Sequence, residues 1–453
     1  MKWEQLLSQK RLGKEDDKQT VRSKGRTVFQ KDYDRIVFSS AFRRLQNKTQ
    51  VFPMPKSDYV RNRLTHSLET ASVGRSLGNL VGDYVIHKHY SLADTYDFSD
   101  FGAIVSAACL AHDIGNPPFG HSGENAISSF FRRDTSKKYL SNLTETQIAD
   151  LQNFEGNAAG FKIISSTPNA QSDVPGGLGL TYSTYASFVK YPKGSFPNLK
   201  HTKIASLKKF NYFDAEKPVY NQIAKELNIG KFTIEGEQYH MRFPLAFLVE
   251  AADDTCYTII DYEDGFQEGL ISFSEVENAF AEILKNEWAE LKPKYNTIYD
   301  KISKINYLRS RSINTLIQQT VEVFKDNEQS ILEGKFNHSL LDNIPASKII
   351  SFIKKDSFER IYSSETVLKI EAAGYKVLPQ LLEIFIDAIL NQNNEQNRRL
   401  LKLIPDIYLE KGRKPFGSDY ENLLNISMYI SGMTDKFAVE LYRQLNGISL
   451  AGY

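Results

Sequence analysis

The chain has 453 residues, and its 56 Lys and Arg nearly balance its 55 Asp and Glu, so that the formal net charge is +1. This balance excludes a global electrostatic attraction to nucleic acid or to an anionic membrane. Hydrophobic residues make up 41% and charged residues 25% of the chain, which excludes collagen-like, coiled-coil and wholly disordered proteins.

The cysteines and the apolar segments indicate the compartment. Cys109 and Cys256 are the two cysteines, and neither belongs to a CxxC pair, which argues against a disulfide framework and a thiolate zinc site. The longest nearly apolar stretch, residues 101–111, is too short to span a bilayer. The first residues lack the apolar core of a signal peptide. We therefore expect a soluble, cytoplasmic protein that has no membrane partner.

Residues 1–50 are the one strongly unbalanced end of the chain, with thirteen Lys or Arg against six Asp or Glu. Two interpretations fit the resulting local net charge of +7, a solvated and partly mobile arm or a segment that faces phosphate groups. The composition alone favours neither of them.

Three helices are predicted in the first 261 residues. Apolar residues at three- and four-residue steps predict an amphipathic helix over residues 64–85. Residues 101–112 are apolar nearly all round and predict a short buried helix, which ends before the sequence GNPP (115–118) because glycine and tandem proline cannot continue it. A third helix is predicted over residues 244–261, with Pro244 in its first turn.

The segment 174–213 differs in kind, because it contains six lysines, eight Tyr or Phe and no acidic residue, interrupted by Gly and Pro. We interpret it as a long irregular segment with a function, since its aromatic residues argue against disorder. Residues 231–234 and 238–241 predict one small hairpin. From residue 273 onward the pattern is mostly helical, for example over 367–390 and 398–408. The predicted fold class is mainly α, with at most a small β-hairpin.

Two polar groups stand in apolar surroundings and need an explanation. His112 and Asp113 follow the predicted buried helix, and burying an imidazole with a carboxylate is costly unless the two are paired or bind a metal. His66 lies at the start of the helix predicted over residues 64–85. A His-Asp dipeptide alone is weak evidence for a metal site, because it occurs by chance in many proteins.

The helix predicted over residues 244–261 carries an acidic stripe opposite its apolar face. The stripe is formed by Glu250, Asp253, Asp254, Tyr257 and Asp261. An ordinary solvent-facing stripe is one interpretation. However, no Lys or Arg follows within residues 250–264, where exposed acidic stripes usually have i+4 partners. The alternative interpretation is therefore an acidic face that receives a cation from elsewhere.

Several sequence motifs, taken together, resemble those of a known family. The order His66, His112-Asp113, Asp253 resembles the H…HD…D signature of the HD-domain metal-dependent phosphohydrolases. More specifically, the sequence resembles the dGTP triphosphohydrolase (dGTPase) family in that superfamily, over about residues 39–264. This resemblance rests on the motifs FRRLQNKTQVF (42–52), RNRLTHSLE (61–69), HDIGNPPFGHSGE (112–124), NFEGNAAG (153–160) and EAADDTCY (250–257).

The resemblance implies a set of metal ligands. They would be His66, His112, Asp113 and Asp253, with Asp254 as the alternative to Asp253. Two imidazoles and two carboxylates suit Mn²⁺, Mg²⁺, Fe²⁺ or Zn²⁺. We predict one divalent ion per subunit, Mn²⁺ or Mg²⁺, because the additional histidines of dinuclear members of the superfamily are not found.

The resemblance also implies catalytic and substrate-binding residues. His121 and Glu124 would be the catalytic pair, in which the carboxylate orients the imidazole and raises its pKa. Arg63, Lys190 and Tyr191 would hold the triphosphate. The deoxyribose would contact Gln50, Tyr257 and Asp261, and a ring packed under C2′ would leave no room for a ribose hydroxyl.

The expected activity is hydrolysis of dGTP to deoxyguanosine and inorganic triphosphate. Alternatives within the superfamily are a broad-specificity dNTP triphosphohydrolase, a 5′-nucleotidase or a guanosine-tetraphosphate hydrolase. An alternative from another class is a single-stranded-DNA-binding protein with a regulatory HD domain, because the segment 174–213 combines charge with aromatic rings. The family resemblance further implies a homo-oligomer, commonly a hexamer, with single-stranded DNA as a modulator.

The predicted organisation has three parts. Residues 1–60 would be a basic segment that contributes to the active site. Residues 61–272 would be the HD-type catalytic core, which contains the Lys- and aromatic-rich insertion 174–213. Residues 273–453 would be a helical region that packs on this core.

Overall fold

The computed structural model describes residues 1–15, 25–52, 60–166, 177–199, 202 and 204–449. Helix covers 67% of the chain, and the one sheet in these described ranges has two strands, which confirms the mainly α class. The division of the chain at residues 60 and 272 stays a prediction.

The first half of the chain contains short helices around two long ones. They are α1 (Trp3–Leu6), α2 (Val28–Val37), α3 (Ser40–Arg44), α4 (Arg63–Lys88), α5 (Phe98–Ala111), α6 (Gly120–Arg132), α7 (Lys137–Leu140), α8 (Glu145–Gln152), α9 (Gly156–Ser165), α10 (Tyr182–Phe188) and α11 (Lys217–Glu226).

The second half begins with the hairpin and continues as helices. The elements are β1 (Lys231–Ile234), β2 (Glu237–His240), α12 (Pro244–Gln267), α13 (Phe273–Ile283), α14 (Trp288–Asn296), α15 (Lys301–Leu332), α16 (Ser347–Ser357), a π-helical turn Phe358–Tyr362, α17 (Glu365–Leu390), α18 (Glu395–Leu401), α19 (Asp419–Ser431) and α20 (Asp435–Leu445). Short 3-10 turns lie at Leu45–Asn47, Tyr90–Leu92, Asp134–Ser136, Ala205–Leu207, Asp214–Glu216, Leu341–Asn343 and Asp406–Tyr408.

Capping residues set where the two central helices begin. The Asn62 side chain accepts a hydrogen bond from the Thr65 amide, and the Thr65 hydroxyl accepts one from the Asn62 amide, so that α4 begins with a reciprocal capping box. Asp97 caps α5 in the same way, with Asp100 as its partner. Both helices therefore begin close to where the apolar periodicity predicted them.

Helices α4 and α5 pack antiparallel and unusually close. A methyl group placed on Gly78 would lie 2.7 Å from the Cα of Gly102, and one on Gly82 would lie 2.8 Å from the Phe98 carbonyl oxygen. A residue larger than glycine would force the backbones apart at these positions. Because the contacts run in opposite directions along the two helices, the first turn of α4 lies at the same end as the last turn of α5.

Two apolar clusters fill the molecule. The larger one includes residues of α4, α5, α10, α12 and α15, and the smaller one includes residues of α6, α9, α17 and α19. The segment between α5 and α6 passes from one cluster to the other, since Ile114 belongs to the first and Phe119 to the second. His112 and Asp113 lie on this segment, and His121 and Glu124 follow it in the first turns of α6.

The N-terminal residues are folded rather than a solvated arm. Trp3, Leu6 and Leu7 are at most 1% exposed, and the Trp3 indole donates a hydrogen bond of 2.7 Å to the buried carboxylate of Glu328 on α15. Of the two interpretations, the solvated arm does not fit residues 1–15 and 25–50, because apolar side chains interleaved with the charges are buried. Residues 16–24 lie outside the described ranges.

Two further predictions need correction. The segment 174–213 contains the wholly buried helix α10, so that the expectation of a long irregular segment is wrong for 182–188. Residues 174–176, 200, 201 and 203 lie outside the described ranges. The helix predicted over 398–408 ends at Leu401, and only a 3-10 turn follows Pro405, because proline donates no backbone hydrogen bond.

The hairpin and the helix predicted over 367–390 are confirmed. Lys231 pairs with His240 and Ile234 with Glu237, in antiparallel register. Helix α17 covers Glu365–Leu390. Within the described ranges, no helix combines the length and the apolar character that crossing a lipid bilayer requires.

Candidate metal and catalytic site

Three side chains from three helices converge at one end of the α4–α5 pair. His66 lies in the first turn of α4, His112 caps the C-terminal end of α5, and Asp253 lies in the middle of α12. The Oδ1 atom of Asp253 is 3.3 Å from Nε2 of His66 and 3.3 Å from Nε2 of His112. The ligand atoms of these three residues lie within 4.8 Å of one another.

The orientation of His112 suits a metal ligand. Its Nδ1 atom lies 2.6 Å from the carbonyl oxygen of Cys109, which fixes the ring with Nδ1 as the donor. The buried Nε2 atom faces His66 and Asp253, and it has no hydrogen-bond partner among the described residues. An outer hydrogen bond on one nitrogen and an unpartnered second nitrogen are typical of metal-binding histidines.

The charges around Asp253 keep its carboxylate ionised. Burial acts to raise its pKa, but the Lys190 ammonium and the His112 imidazole hold that pKa well below its usual value. Lys190 Nζ lies 2.6 Å from Asp253 Oδ2, the oxygen that does not face the imidazoles. Burial also acts to lower the pKa of His66, yet its hydrogen bond with Asp253 and the nearby Asp113 raise it.

Asp113 lies beside this group of three without belonging to it. Its Oδ1 atom is 3.5 Å from His112 Nε2, but it also accepts a hydrogen bond of 2.5 Å from the Asn116 amide. Its Oδ2 atom accepts a hydrogen bond of 2.8 Å from Arg63. Burial opposes ionisation of Asp113, yet the neighbouring His112 and Arg63 lower its pKa. The fourth predicted ligand is thus adjacent, ionised and engaged by two other side chains.

The acidic face of α12 receives its cations from other elements. Asp254 pairs with Lys354 at 2.9 Å, Glu250 pairs with Arg242 at 2.8 Å, and neither reaches the two imidazoles. The interpretation as an ordinary solvent-facing stripe does not fit these pairs with cations that lie outside α12. Of the two candidate aspartates, the structure brings Asp253 to His66 and His112.

His121 and Glu124 lie one turn apart at the start of α6. The Nδ1 atom of His121 is 2.7 Å from Glu124 Oε2, while Glu124 Oε1 accepts a hydrogen bond of 2.7 Å from the Gly156 amide. The carboxylate raises the pKa of His121, mainly through the shared hydrogen bond. The His121 side chain is 79% exposed and the Glu124 side chain 10%. A substrate can therefore reach the imidazole, while the carboxylate that holds it is buried.

Arg63 links the His66–His112–Asp253 group to the turn that precedes His121, which we call the catalytic turn. One guanidinium nitrogen, Nη1, donates to Asp113, and the other, Nη2, would lie 2.9 Å from a methyl group placed on Gly120. Arg63 is 7% exposed, and its Nε atom has no hydrogen-bond partner among the described residues. It therefore lies between Asp113 and the turn that precedes His121.

Two of the residues expected to hold the sugar, Tyr257 and Asp261, lie on the C-terminal half of α12. The ring of Tyr257 stacks on Tyr362 at a centroid distance of 5.3 Å, and the Tyr362 hydroxyl donates a hydrogen bond of 2.8 Å to Asp261 Oδ2. Burial raises the pKa of Asp261 to about 7. Asp261 Oδ1 and Gln50 Oε1 are buried acceptors without a partner among the described residues.

Sequence reasoning missed Tyr362. It lies on the π-helical turn that follows α16, about a hundred residues from its partners in the chain, and no motif surrounds it. Its contacts depend on how α16 packs against α12, which no local pattern reports.

The residues expected to hold the triphosphate lie near a second ion pair, formed by Lys209 and Glu155. Tyr191 is anchored through its amide, which donates a hydrogen bond of 2.8 Å to the Asn211 side chain. Lys209 pairs with Glu155 at 2.9 Å. Burial acts to raise the pKa of Glu124, but its hydrogen bond with His121 and, to a smaller extent, the charge of Lys209 lower that pKa. Lys193 is only 4% exposed, and burial lowers its pKa to about 8. Lys193 and Lys209 were missed individually, although the acid-free composition of 174–213 indicated cations there.

Comparisons with known proteins give one matching family model and several similar relatives. Residues 63–162 match the model of the HD domain family, and this range includes His66, His112, Asp113, His121 and Glu124. The chain is 42% identical to a "Deoxyguanosinetriphosphate triphosphohydrolase-like protein" of Synechocystis sp. (strain ATCC 27184 / PCC 6803 / Kazusa), over 99% of this chain and 100% of the relative.

Two further relatives are similar over nearly their whole length. A protein of the same name from Pseudomonas aeruginosa (strain LESB58) is 37% identical over 99% of each chain. A "Deoxyguanosinetriphosphate triphosphohydrolase" of Enterobacter sp. (strain 638) is 30% identical, over 93% of this chain and 94% of the relative.

The geometry predicts different outcomes for two neighbouring aspartates. Asp253→Asn removes the carboxylate between the imidazoles, so that affinity for Mn²⁺ should fall by more than the roughly 10- to 100-fold that loss of an outer-shell partner costs. Asp254→Asn, the matched control, breaks only the pair with Lys354 and should change the affinity by less than about threefold. Calorimetric titration of metal-free protein with Mn²⁺ measures both. Equal losses, or a larger loss for Asp254→Asn, would contradict the assignment.

Proposed function

This chain belongs to the dGTP triphosphohydrolase family of HD-domain phosphohydrolases, and we propose that it hydrolyses dGTP to deoxyguanosine and inorganic triphosphate. The observation that carries the proposal is the juxtaposition of the His66–His112–Asp253 group with the His121–Glu124 pair across Arg63. A cation site, an acid–base pair and a guanidinium are the groups that phosphate ester hydrolysis requires.

We propose that His66, His112 and Asp253 hold one divalent cation, Mn²⁺ or Mg²⁺, with Asp113 beside them. The unpartnered Nε2 of His112 and the ionised carboxylate of Asp253 fit such an ion. When bound, the ion supplies positive charge that neutralises the charge developing on phosphate oxygens.

The chain's own cations would hold the triphosphate. Arg63 and Lys190 are buried beside the cation site, and Tyr191 follows Lys190 directly. A planar guanidinium can contact two phosphate oxygens at once, whereas a lysine ammonium with three donors can contact Asp253 and a phosphate together. These residues would orient the substrate so that its α-phosphorus faces water and its 5′ oxygen faces away.

The sugar would lie along the far half of α12. The two buried acceptors without a partner, Asp261 Oδ1 and Gln50 Oε1, suit the 3′ hydroxyl of a deoxyribose. Tyr257, held by its stack on Tyr362, would pack beneath C2′ and exclude a ribose hydroxyl.

His121 would move the proton. Glu124 holds Nδ1, so that the exposed Nε2 atom is the one available to the substrate. Water forms a bond to the α-phosphorus and the bond to the 5′ oxygen breaks. The imidazolium of His121, favoured by Glu124, gives its proton to that oxygen as it leaves, which completes the nucleoside product. The attacking water loses a proton to solvent, and His121 takes up a proton from solvent before the next turnover.

A broad-specificity dNTP triphosphohydrolase is the second candidate. The residues placed around the site are proposed to contact phosphate and sugar, and none of them is assigned to a base. The same reaction on all four dNTPs therefore fits the same residues. A homo-oligomer, possible hexamer formation, modulation by single-stranded DNA and a cytoplasmic location stay predictions.

Product analysis tests the proposed reaction. Metal-free protein would receive each dNTP or GTP with Mn²⁺ or Mg²⁺, and anion exchange would resolve the released phosphates. We expect triphosphate and deoxyguanosine from dGTP and no product from GTP, because the 2′ hydroxyl has no room. Triphosphate from all four dNTPs would favour the second candidate, whereas pyrophosphate or monophosphate would contradict the reaction itself.

The His121–Glu124 pair predicts a pH dependence. If protonated His121 acts as the acid, kcat falls as the pH rises through its raised pKa. Glu124→Gln removes the carboxylate that raises this pKa, so that the alkaline limb of the kcat profile should move to lower pH. Glu145→Gln, an exposed glutamate at the start of α8, should leave the limb in place. His121→Ala should lose about 10²- to 10⁴-fold in kcat and abolish the limb. An unchanged limb in Glu124→Gln would contradict this role.

A further inference from the structure

The junction between α19 and α20, residues 431–435, lies against the active-site segments although it is more than three hundred residues from them in the chain. The carboxylate of Asp435, the first residue of α20, accepts two backbone hydrogen bonds. Its Oδ1 atom accepts from the Phe119 amide at 2.8 Å, and its Oδ2 atom accepts from the Thr49 amide at 2.7 Å. One side chain thus joins two distant segments of backbone.

The first of these segments forms the turn that leads into His121. Phe119 has a φ of 65°, a left-handed conformation that non-glycine residues rarely adopt, and Gly120 continues it with a φ of 58°. Such a turn persists only where its surroundings hold it. Asp435 holds the Phe119 amide, while the Phe119 ring lies over Gly374 of α17, where a methyl group would be 2.9 Å from the ring.

The second segment carries Gln50. Thr49 forms an antiparallel bridge with Asn62, and the Lys48 carbonyl accepts a hydrogen bond of 3.2 Å from the Arg63 amide. This pairing lays residues 48–50 alongside the start of α4. The Asp435 carboxylate fixes the same segment from its other side.

Lys48 forms further hydrogen bonds between the α19–α20 junction and the loop that follows His112. Its buried ammonium donates to the Asn116 carbonyl at 2.5 Å and to the Ser431 carbonyl at 2.8 Å. The Ser431 hydroxyl in turn donates to the Gly115 carbonyl at 3.0 Å. The loop between His112 and Phe119 is therefore bonded to the end of α19 as well as to the start of α20.

We propose that Asp435 is a positioning residue for the catalytic turn, which acts through the Phe119 amide on His121 and through the Thr49 amide on Gln50. The kinetic consequences rest on the proposed function. Both carboxylate oxygens are in use, so that replacement by an amide leaves one acceptor for two N–H donors. The turn then loses one of the contacts that keep its left-handed backbone in place.

A general contribution of an aspartate to the start of a helix needs a separate control. Asp419 is the first residue of α19 and follows a serine cap, as Asp435 follows a threonine cap. Asp419 makes one side-chain contact among the described residues, a distant hydrogen bond of 3.4 Å with Asn142 at the surface. Asp419→Asn therefore changes the helix start in the same way without touching the active-site segments.

The decisive comparison is kinetic and uses a double mutant. Asp435→Asn should lower kcat by about 10- to 100-fold, while Mn²⁺ affinity stays within about threefold, because no cation ligand is displaced. Asp419→Asn should change neither. In a background of His121→Ala, Asp435→Asn should lower kcat by less than about threefold, since its effect through His121 is gone and its effect through Gln50 falls on substrate binding and so on KM. Full additivity of the two losses would overturn the proposal.

A second pair of variants tests the catalytic turn through the contact of the Phe119 ring with α17. Gly374→Ala places a methyl group against the Phe119 ring and should lower kcat with little change in KM, because Thr49 and Gln50 are not affected. Gly417→Ala, which meets no neighbour within 4 Å, is the matched control. Unchanged kcat in Gly374→Ala would contradict the claim that the conformation of this turn positions His121 for turnover.

Amide hydrogen exchange, read by mass spectrometry, separates this proposal from the proposed function. Asp435→Asn should speed exchange in the peptides that contain residues 47–51 and 117–122, and Asp419→Asn should leave both peptides protected. A wild-type protein that releases no triphosphate would remove the proposed function but leave this result readable. Unchanged exchange in both peptides would overturn the positioning role even if the enzyme is active.

Discussion

The close antiparallel packing of α4 on α5 is the contact on which the site depends. Three glycines of α4 at four-residue steps, Gly74, Gly78 and Gly82, let the two backbones approach. His66 lies two turns before Gly74 on the same ridge, and His112 follows the last turn of α5. Helix packing therefore brings the two imidazoles together, and Asp253 of α12 completes the group.

The proposed catalytic pair, His121 and Glu124, depends on a different part of the molecule. Helix α6, which carries His121 and Glu124, belongs to the smaller apolar cluster together with α17 and α19. The cation group belongs to elements of the larger cluster. Chemistry that needs both groups requires the two clusters to keep a fixed relation. The contacts of Arg63 with Gly120, of Lys48 with Ser431 and of Asp435 with Thr49 cross between them. The C-terminal helices are thus part of the active-site scaffold.

Local patterns were sufficient to predict the elements whose order lies in neighbouring residues. Helices α4, α5 and α12 and the hairpin follow from periodicity, capping residues and turn residues. The candidate ligands His66, His112 and Asp253 followed from a family resemblance. The sequence left the N-terminal segment undecided between two interpretations, because the few apolar side chains that anchor it, Trp3 among them, show no helical periodicity.

Long-range pairs had no signal in the sequence. Lys354 neutralises Asp254, and Tyr362 orders Tyr257 and Asp261, yet each comes from an element some hundred residues away. Asp435 looks like any aspartate that opens a helix. Such contacts arise only when helices pack, because the free energy that selects them comes from tertiary burial and not from local propensity. Their assignment needed the coordinates.

Hydrolysis of dGTP in ¹⁸O-labelled water tests the central claim most directly. If water attacks the α-phosphorus, one ¹⁸O atom appears on a terminal phosphate of the released triphosphate, and the deoxyguanosine is unlabelled. Mass spectrometry of both products distinguishes the outcomes in one experiment. Label in the 5′ hydroxyl of deoxyguanosine, or label in dGMP or pyrophosphate, would contradict the account.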